Sequence, residues 1–256
     1  MTTEMNSIEI SLIVFACVFG GAMLGMFLRS HLPEHHQSAD SQRIVNLGAG
    51  IIGTMAALVL GLLVASAKGT YDAQDNELIT VGAKMVLADR ALSFYGPEAK
   101  DTRDLLRGAV SEMIRHLWPN DQAPAVDPPY PQLVTPAALY ESIQGLSPQN
   151  ESQRAIKSQV LATVTDVAQT RWLMFEQQSM SISKPLLVIL IFWMTINFFS
   201  FGLFAPRNAT VIATLCLCAI AVAGAIFLIL EFYRPFGGFI QIPSTTMHNA
   251  LAQMGH

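Results

Sequence analysis

With 256 residues, 52% of them hydrophobic and only 13% charged, the chain has too little polar side chain to cover a soluble domain of its size. A formal charge of −4 gives no basic field, which excludes nucleic acid as a partner. Cys17, Cys216 and Cys218 all fall inside apolar runs, so they read as small packing residues and carry no redox information.

Four runs, 10–28, 44–67, 185–205 and 209–230, contain no charged residue. About 20 helical residues cross a bilayer core of about 30 Å, and backbone groups in lipid must be satisfied within their own segment. The four runs therefore predict an all-α integral membrane protein with four transmembrane helices. In chain order the expectation is a first hairpin (1–67), a helical extramembrane insert (68–184), a second hairpin (185–231) and a tail (232–256). No basic residue precedes the first run, so it is expected to stay as a helix and not to be cleaved as a signal.

In the first helix, Gly21 and Gly25 form a small-x-x-x-small pair. In the second, Ala49, Gly53, Ala57, Gly61 and Ala65 recur every four residues. Such stripes let helix backbones approach closely in lipid. Two readings stay open for this one: packing inside a subunit, or packing around a symmetric axis with the second helix lining a pore. For a pore, the polar candidates are Asn46, Thr54 and Ser66, with Leu58, Leu60 and Leu62 as bulky residues for an apolar constriction.

Between the first two helices, His31, His35 and His36 lie beside Glu34 and Asp40. Pro33 interrupts any helical spacing, so a solvated loop is expected there and not a metal site. Beyond the second helix, Leu78, Val81, Met85, Ala88, Leu92 and Tyr95 alternate by three and four. This is a heptad-like seam that needs a partner, either a returning helix or another protein.

Gly96-Pro97 ends that helix, and Leu105, Leu106, Val110, Met113, Ile114 and Leu117 define the apolar set of the next. A proline-rich connector near 119–136 follows. Thr135-Pro136 and Ser147-Pro148 read as helix starts. Ile156, Val160, Val164, Val167 and Trp172 mark the apolar face of the last insert helix.

The third membrane helix is crowded with aromatics, read as lipid contacts, and has Asn197 as its strong hydrogen-bonding group. Basic residues near helix ends are Lys68, Lys84, Arg171, Lys184 and Arg234 on the side of the insert, against Arg29, Arg43 and Arg207. The positive-inside rule thus puts the insert and both termini in the cytoplasm. No nucleophile–base pair, phosphate loop or ligand cluster stands out, so neither an enzyme, a cofactor nor a metal is expected.

After the fourth helix, Glu231, Arg234, Pro235, Phe236 and Gly238 form an acidic-x-x-Arg-Pro-Phe-x-Gly pattern running into Ile240, with Phe236, Phe239, Ile240 and Ile242 expected to pack back. With Tyr71-Asp72, Lys184-Pro185 and Asn208, this ending resembles the bestrophin-like domain family over about residues 10–245. One departure stands at 77–79, where Glu-Leu-Ile takes the place of the Glu-Ala-Asn found in many members. The resemblance implies a likeness to bestrophins, which are pentameric anion channels with four membrane helices per subunit and an apolar neck on the second. With the small-residue stripe and the uncharged spans, it implies a homo-oligomer in the cell inner membrane passing small anions; the Leu78–Tyr95 seam by itself leaves open a membrane-anchored scaffold that binds a partner and transports nothing.

Overall fold

The computed structural model describes residues 6–31, 39–119, 135–179 and 184–254. Among them every regular element is a helix: α1 (Ser7–Arg29), α2 (Ala39–Tyr95), α3 (Lys100–Leu117), α4 (Pro136–Gly145), α5 (Glu151–Ser179), α6 (Lys184–Phe204), α7 (Ala209–Phe232) and α8 (Thr245–Gln253). Four of these are long and apolar enough to cross a membrane: α1, α2, α6 and α7. The protein is an all-α integral membrane protein.

The chain divides into two compact units. Unit 1 comprises Met1–Tyr71 with Ser181–Tyr233, and unit 2 comprises Asp72–Met180 with Arg234–His256. The helix α2 belongs to both. Its 57 residues contain no proline, so nothing in the sequence forces a break after the apolar run, and the membrane helix and the seam are one element.

In unit 1, α1 packs on α6 and α7. Val14, Val18, Ala22 and Met26 recur at helical spacing and are buried with Phe198, Leu215, Ala219 and Ile226. A second cluster joins Ala56, Leu63 and Ala67 of α2 to Leu190 of α6 and Ile229 of α7.

The two helices that end at the 206–208 turn side, α1 and α6, are capped across the pair by arginines. Arg29 at the end of α1 donates to the carbonyls of Phe204 and Ala205 after α6. Arg207 donates to the Met26 carbonyl of α1 at 2.7 Å and to Ser30 Oγ at 2.9 Å. A helix C-terminus leaves carbonyls unpaired and carries partial negative charge, so a guanidinium is well suited to both needs. Asn208 then opens α7, its side chain accepting from Val211 N–H at 2.8 Å.

In unit 2 the predicted seam is closed by the chain's own helices. Leu78, Val81, Met85, Ala88, Leu92 and Tyr95 are all 4% exposed or less. Leu106, Val110, Met113 and Ile114 of α3 and Val160, Val164 and Val167 of α5 are buried too, and Met85 faces Met113, Val164 and Val167 across one lobe. Burial pushes the Tyr95 phenol up, with Glu98 adding to the effect, so it stays neutral. The chain reverses at Gly96, whose φ of 127° suits glycine alone, and a single 3₁₀ turn at Pro97–Ala99 leads into α3.

Several expectations need correction here. Ser147-Pro148 does not start α5: Asn150 does, its Oδ1 accepting from Gln153 N–H at 2.8 Å while Gln153 Oε1 accepts from Gln149 N–H at 2.7 Å. The asparagine wins because it sits three residues before a glutamine that can return a bond to the entering chain. Trp172 is not in the apolar face, being 69% exposed. Leu105 and Leu117 are only half-buried.

The tail is not a simple tail. Met247, Ala250, Leu251 and Met254 form a helical stripe on α8, and Met247 and Ala250 rest against Gly82 of α2. Thr135 caps α4 as its sequence predicts, accepting from Ala138 N–H at 3.2 Å. The connector 120–134, His35 and His36 lie outside the described residues.

The corrected cap is testable. Asn150→Ala should cost about 1 kcal/mol, seen as a lower melting temperature of the detergent-solubilised protein, while Ser147→Ala should cost nothing measurable. Equal effects from the two would remove Asn150 as the cap.

Candidate functional site

Within unit 1, the faces of α2 are sorted by what they meet. Ala49, Ala56, Leu63 and Ala67 are buried against the subunit's own helices. At roughly 100° per residue, Leu58 stands nearly opposite the centre of that buried face. It is 75% exposed, Leu62 is 70% exposed, and Asn46, Thr54 and Ser66 are exposed as well, whereas Leu60 is half-buried against the subunit's own clusters and drops out as a constriction residue. Thr54 Oγ1 bonds back to the Ile51 carbonyl at 2.8 Å, so its polarity is satisfied within the helix.

The small-residue stripe does not keep to one environment. A four-residue step advances about 40° around the helix, so the stripe spirals. Ala49 is buried and Gly53 half-buried, whereas Ala57, Gly61 and Ala65 are exposed. At Gly53 an added methyl would come within 2.9 Å of Asn197 Nδ2, which donates to the Ala49 carbonyl at 2.8 Å. The missing side chain makes room for that amide, whose Oδ1 is buried without a partner. At Gly61 an added methyl would meet nothing.

In α1, Gly21 and Gly25 both face α6. A methyl at Gly21 would lie 3.0 Å from the Thr195 carbonyl oxygen, and one at Gly25 would overlap the carbonyl of Phe199. Gly202 mirrors this from α6, against the Ala22 carbonyl. Close backbone approach of this kind permits Cα–H···O contacts between helices. The partner Gly202 is invisible as a motif because its own four-residue neighbours, Phe198 and Pro206, are large.

Cys216 and Cys218, two residues apart on α7, lie about 200° apart around the helix and share no face. Among the α6 aromatics, Phe192 and Phe201 are exposed, but Phe198 is 6% exposed and part of the core. Near the ends of the membrane helices, Lys68 stands 5.2 Å from the Tyr71 ring centroid and 5.9 Å from that of Phe232. Glu231 is buried at 1% exposure.

The Arg234–Ile242 segment folds as a tight turn. The Arg234 carbonyl accepts from Gly237 and Gly238 N–H, and Ile242 N–H donates to the Pro235 carbonyl at 2.8 Å. Phe236 meets the Trp118 ring edge-on at 5.5 Å, and Trp118 Nε1 donates to the Ile242 carbonyl at 2.8 Å. Pro235 and Ile242 are buried, but Phe239 is 74% exposed and does not pack back as expected.

Sequence reading missed one polar cluster in unit 2. Asp89, 2% exposed, accepts from Arg103 Nε at 3.0 Å and Nη2 at 2.8 Å, with Arg107 Nε 3.8 Å away. Donating to the Asp89 carboxylate raises the Arg103 pKa further. Its signal was present: an aspartate directly beside the Leu78–Tyr95 seam has to find a cation if it is buried. Two other buried acceptors, Gln74 Oε1 and Glu77 Oε2, lie about one turn apart on α2 without a hydrogen bond.

Four apolar spans and an α-helical unit formed by the insert and the C-terminal segment define a polytopic membrane protein with a substantial part outside the apolar spans. The chain belongs to the bestrophin-like domain family, whose profile matches residues 16–247. No curated protein and no solved structure matches it.

Because the Leu78–Tyr95 seam is buried inside unit 2, the surface on which a scaffold role would rest is not open to a partner.

Proposed function

We propose that the protein is a homo-oligomeric membrane channel for small anions, with α2 lining the path. The observation that carries this is the arrangement of α2 faces. One side is packed on α6 and α7, and the opposite side presents Leu58 and Leu62 uncovered. In a ring whose other helices lie outside, that opposite side points to the axis. The exposed small residues Ala57, Gly61 and Ala65 flank it and suit close approach of a neighbouring subunit's helix.

Leu58 and Leu62 then form an apolar neck that gates by dewetting, with Asn46, Thr54 and Ser66 as polar groups along the path. No charged residue interrupts the apolar core of α2, which favours an apolar neck over a proton relay. Anions as cargo and a pentameric ring are carried over from the bestrophin likeness of the family.

Unit 2 and both termini lie on the cytoplasmic side in this reading. Of the three basic residues counted against that orientation, Arg29 and Arg207 are engaged in capping helix C-termini, so their charge has a structural reason to be there.

The test is halide flux through the purified protein in liposomes, with Leu58→Ala and Leu62→Ala beside the wild type. Widening the neck should raise flux several-fold in at least one variant. Unchanged flux in both would remove α2 as the neck, and no flux from intact oligomers of all three proteins would remove the channel.

A further inference from the structure

The apolar face of α5 reads Val160, Val164, Val167, Arg171, Met174, a run spaced by four and three in which an arginine takes an apolar register position and is itself exposed to solvent. Its apolar neighbours in that run are all 6% exposed or less. An arginine there does not close the core, and two open lobes result. The larger, about 480 Å³, is walled by Met85, Met113, Leu139, Val164 and Val167 and edged by Trp172. The smaller, about 310 Å³, is walled by Leu78, Val81, Met113, Met174 and Phe236.

Arg171 and His116 line both lobes. Among the described residues neither lobe is lined by an aspartate or glutamate. The nearby acid on the same helix, Asp166, is engaged with Lys84. Among the described residues Arg171 therefore has no carboxylate partner. Its surroundings are apolar enough that desolvation lowers its pKa, although it remains a cation.

A guanidinium with no carboxylate partner among the described residues, at the junction of two apolar lobes and with an imidazole beside it, has the makings of a ligand site: largely apolar walls and few polar groups, in the size range of small-molecule pockets. The shape and charge specify the occupant. A planar fork of N–H donors matches a carboxylate in bidentate fashion, and the lobes accept an aliphatic chain. We propose that unit 2 binds an amphipathic carboxylate, a fatty acid of medium chain length, with its head group on Arg171 and its chain in the larger lobe. This does not depend on whether the protein conducts ions.

The experiment uses the full-length protein in nanodiscs, on a Trp193→Phe background that removes the indole of α6. The probes are 10-bromodecanoic acid and its neutral analogue 10-bromodecanol, because bromine quenches indole fluorescence at contact and Trp172 edges the lobe. The acid should quench saturably. Arg171→Met, which restores an apolar seam, should weaken that binding at least tenfold. Ala168→Phe, which fills the lobe from its rim and leaves the arginine in place, should abolish it.

Linear quenching that is the same in all three proteins would show bilayer partition alone and overturn the site. So would an absence of quenching, as when a second copy of the chain covers the groove, or saturation by bromodecanol at the same concentration as the acid.

Discussion

Gly25→Ala should lower the stability of the protein by about 3 kcal/mol or more, while Gly20→Ala, five residues earlier on the same helix, should leave it unchanged or slightly raised. The intrinsic gain in helix propensity is the same in both, roughly 0.5–1 kcal/mol. The surroundings differ. Nothing lies within 4 Å of a methyl at Gly20, whereas one at Gly25 meets the carbonyl of Phe199 and the backbone of Gly202 and Leu203.

Backbone cannot rotate away as a side chain can, so the helices must separate. Overpacking of a flexible core costs about 1–3 kcal/mol, and here the whole α1–α6 interface loosens with the arginine caps at its end. Thermal melting by size-exclusion chromatography in detergent reads both variants directly. If Gly25→Ala melts with Gly20→Ala, the close approach of α1 and α6 is wrong.

Asp89→Ala should destabilise the protein by about 3 kcal/mol, the low end of the range for removing one partner of a buried ion pair. The low end applies because Arg103 and Arg107 each keep 23% side-chain exposure and recover part of their hydration. The loss comes chiefly from the Arg103 guanidinium left without its carboxylate, more than from the bonds themselves, since Arg107 keeps Asp104 at 3.4 Å. A second change separates the two causes. Asp89→Leu combined with Arg103→Leu should recover a good part of the loss, since an apolar pair needs no hydration. A cost below about 1 kcal/mol for Asp89→Ala would show that water already carries both arginines.

The membrane helices were legible because their signal is local: length and absence of charge are properties of one segment. The seam on α2 was equally legible from its three-and-four spacing, but its partner was not. Its cover comes from α3, α5 and α8, which no local pattern links to it. The short α8 went unread although Met247, Ala250, Leu251 and Met254 carry helical spacing, because nine residues after a glycine turn look like a tail.

In the sequence Arg171 shows only as a charge near a helix end. Its place in the α5 face shows once Val160, Val164, Val167 and Met174 are seen buried together. Leu58 and Leu62 were chosen as bulky residues on an apolar helix, and only the packed side of α2 gives them a direction. Asn150 outcompeting Ser147-Pro148 reflects a rule of reciprocity: a cap is fixed by what returns the bond three residues later, as well as by its own side chain.

Arg29 and Arg207 stand far apart in the chain, yet each finishes the other's helix. While the ribosome has delivered only the first two membrane helices, α1 sits in the bilayer with open carbonyls at its end and a bare glycine face. Neither defect can be repaired until α6 and the turn after it have been inserted. The helix α1 is therefore native only after α6 and the turn that follows it. Synthesis up to Leu203 supplies the backbone that covers the glycine face of α1, and only synthesis past Arg207 supplies the guanidinium that caps its Met26 carbonyl.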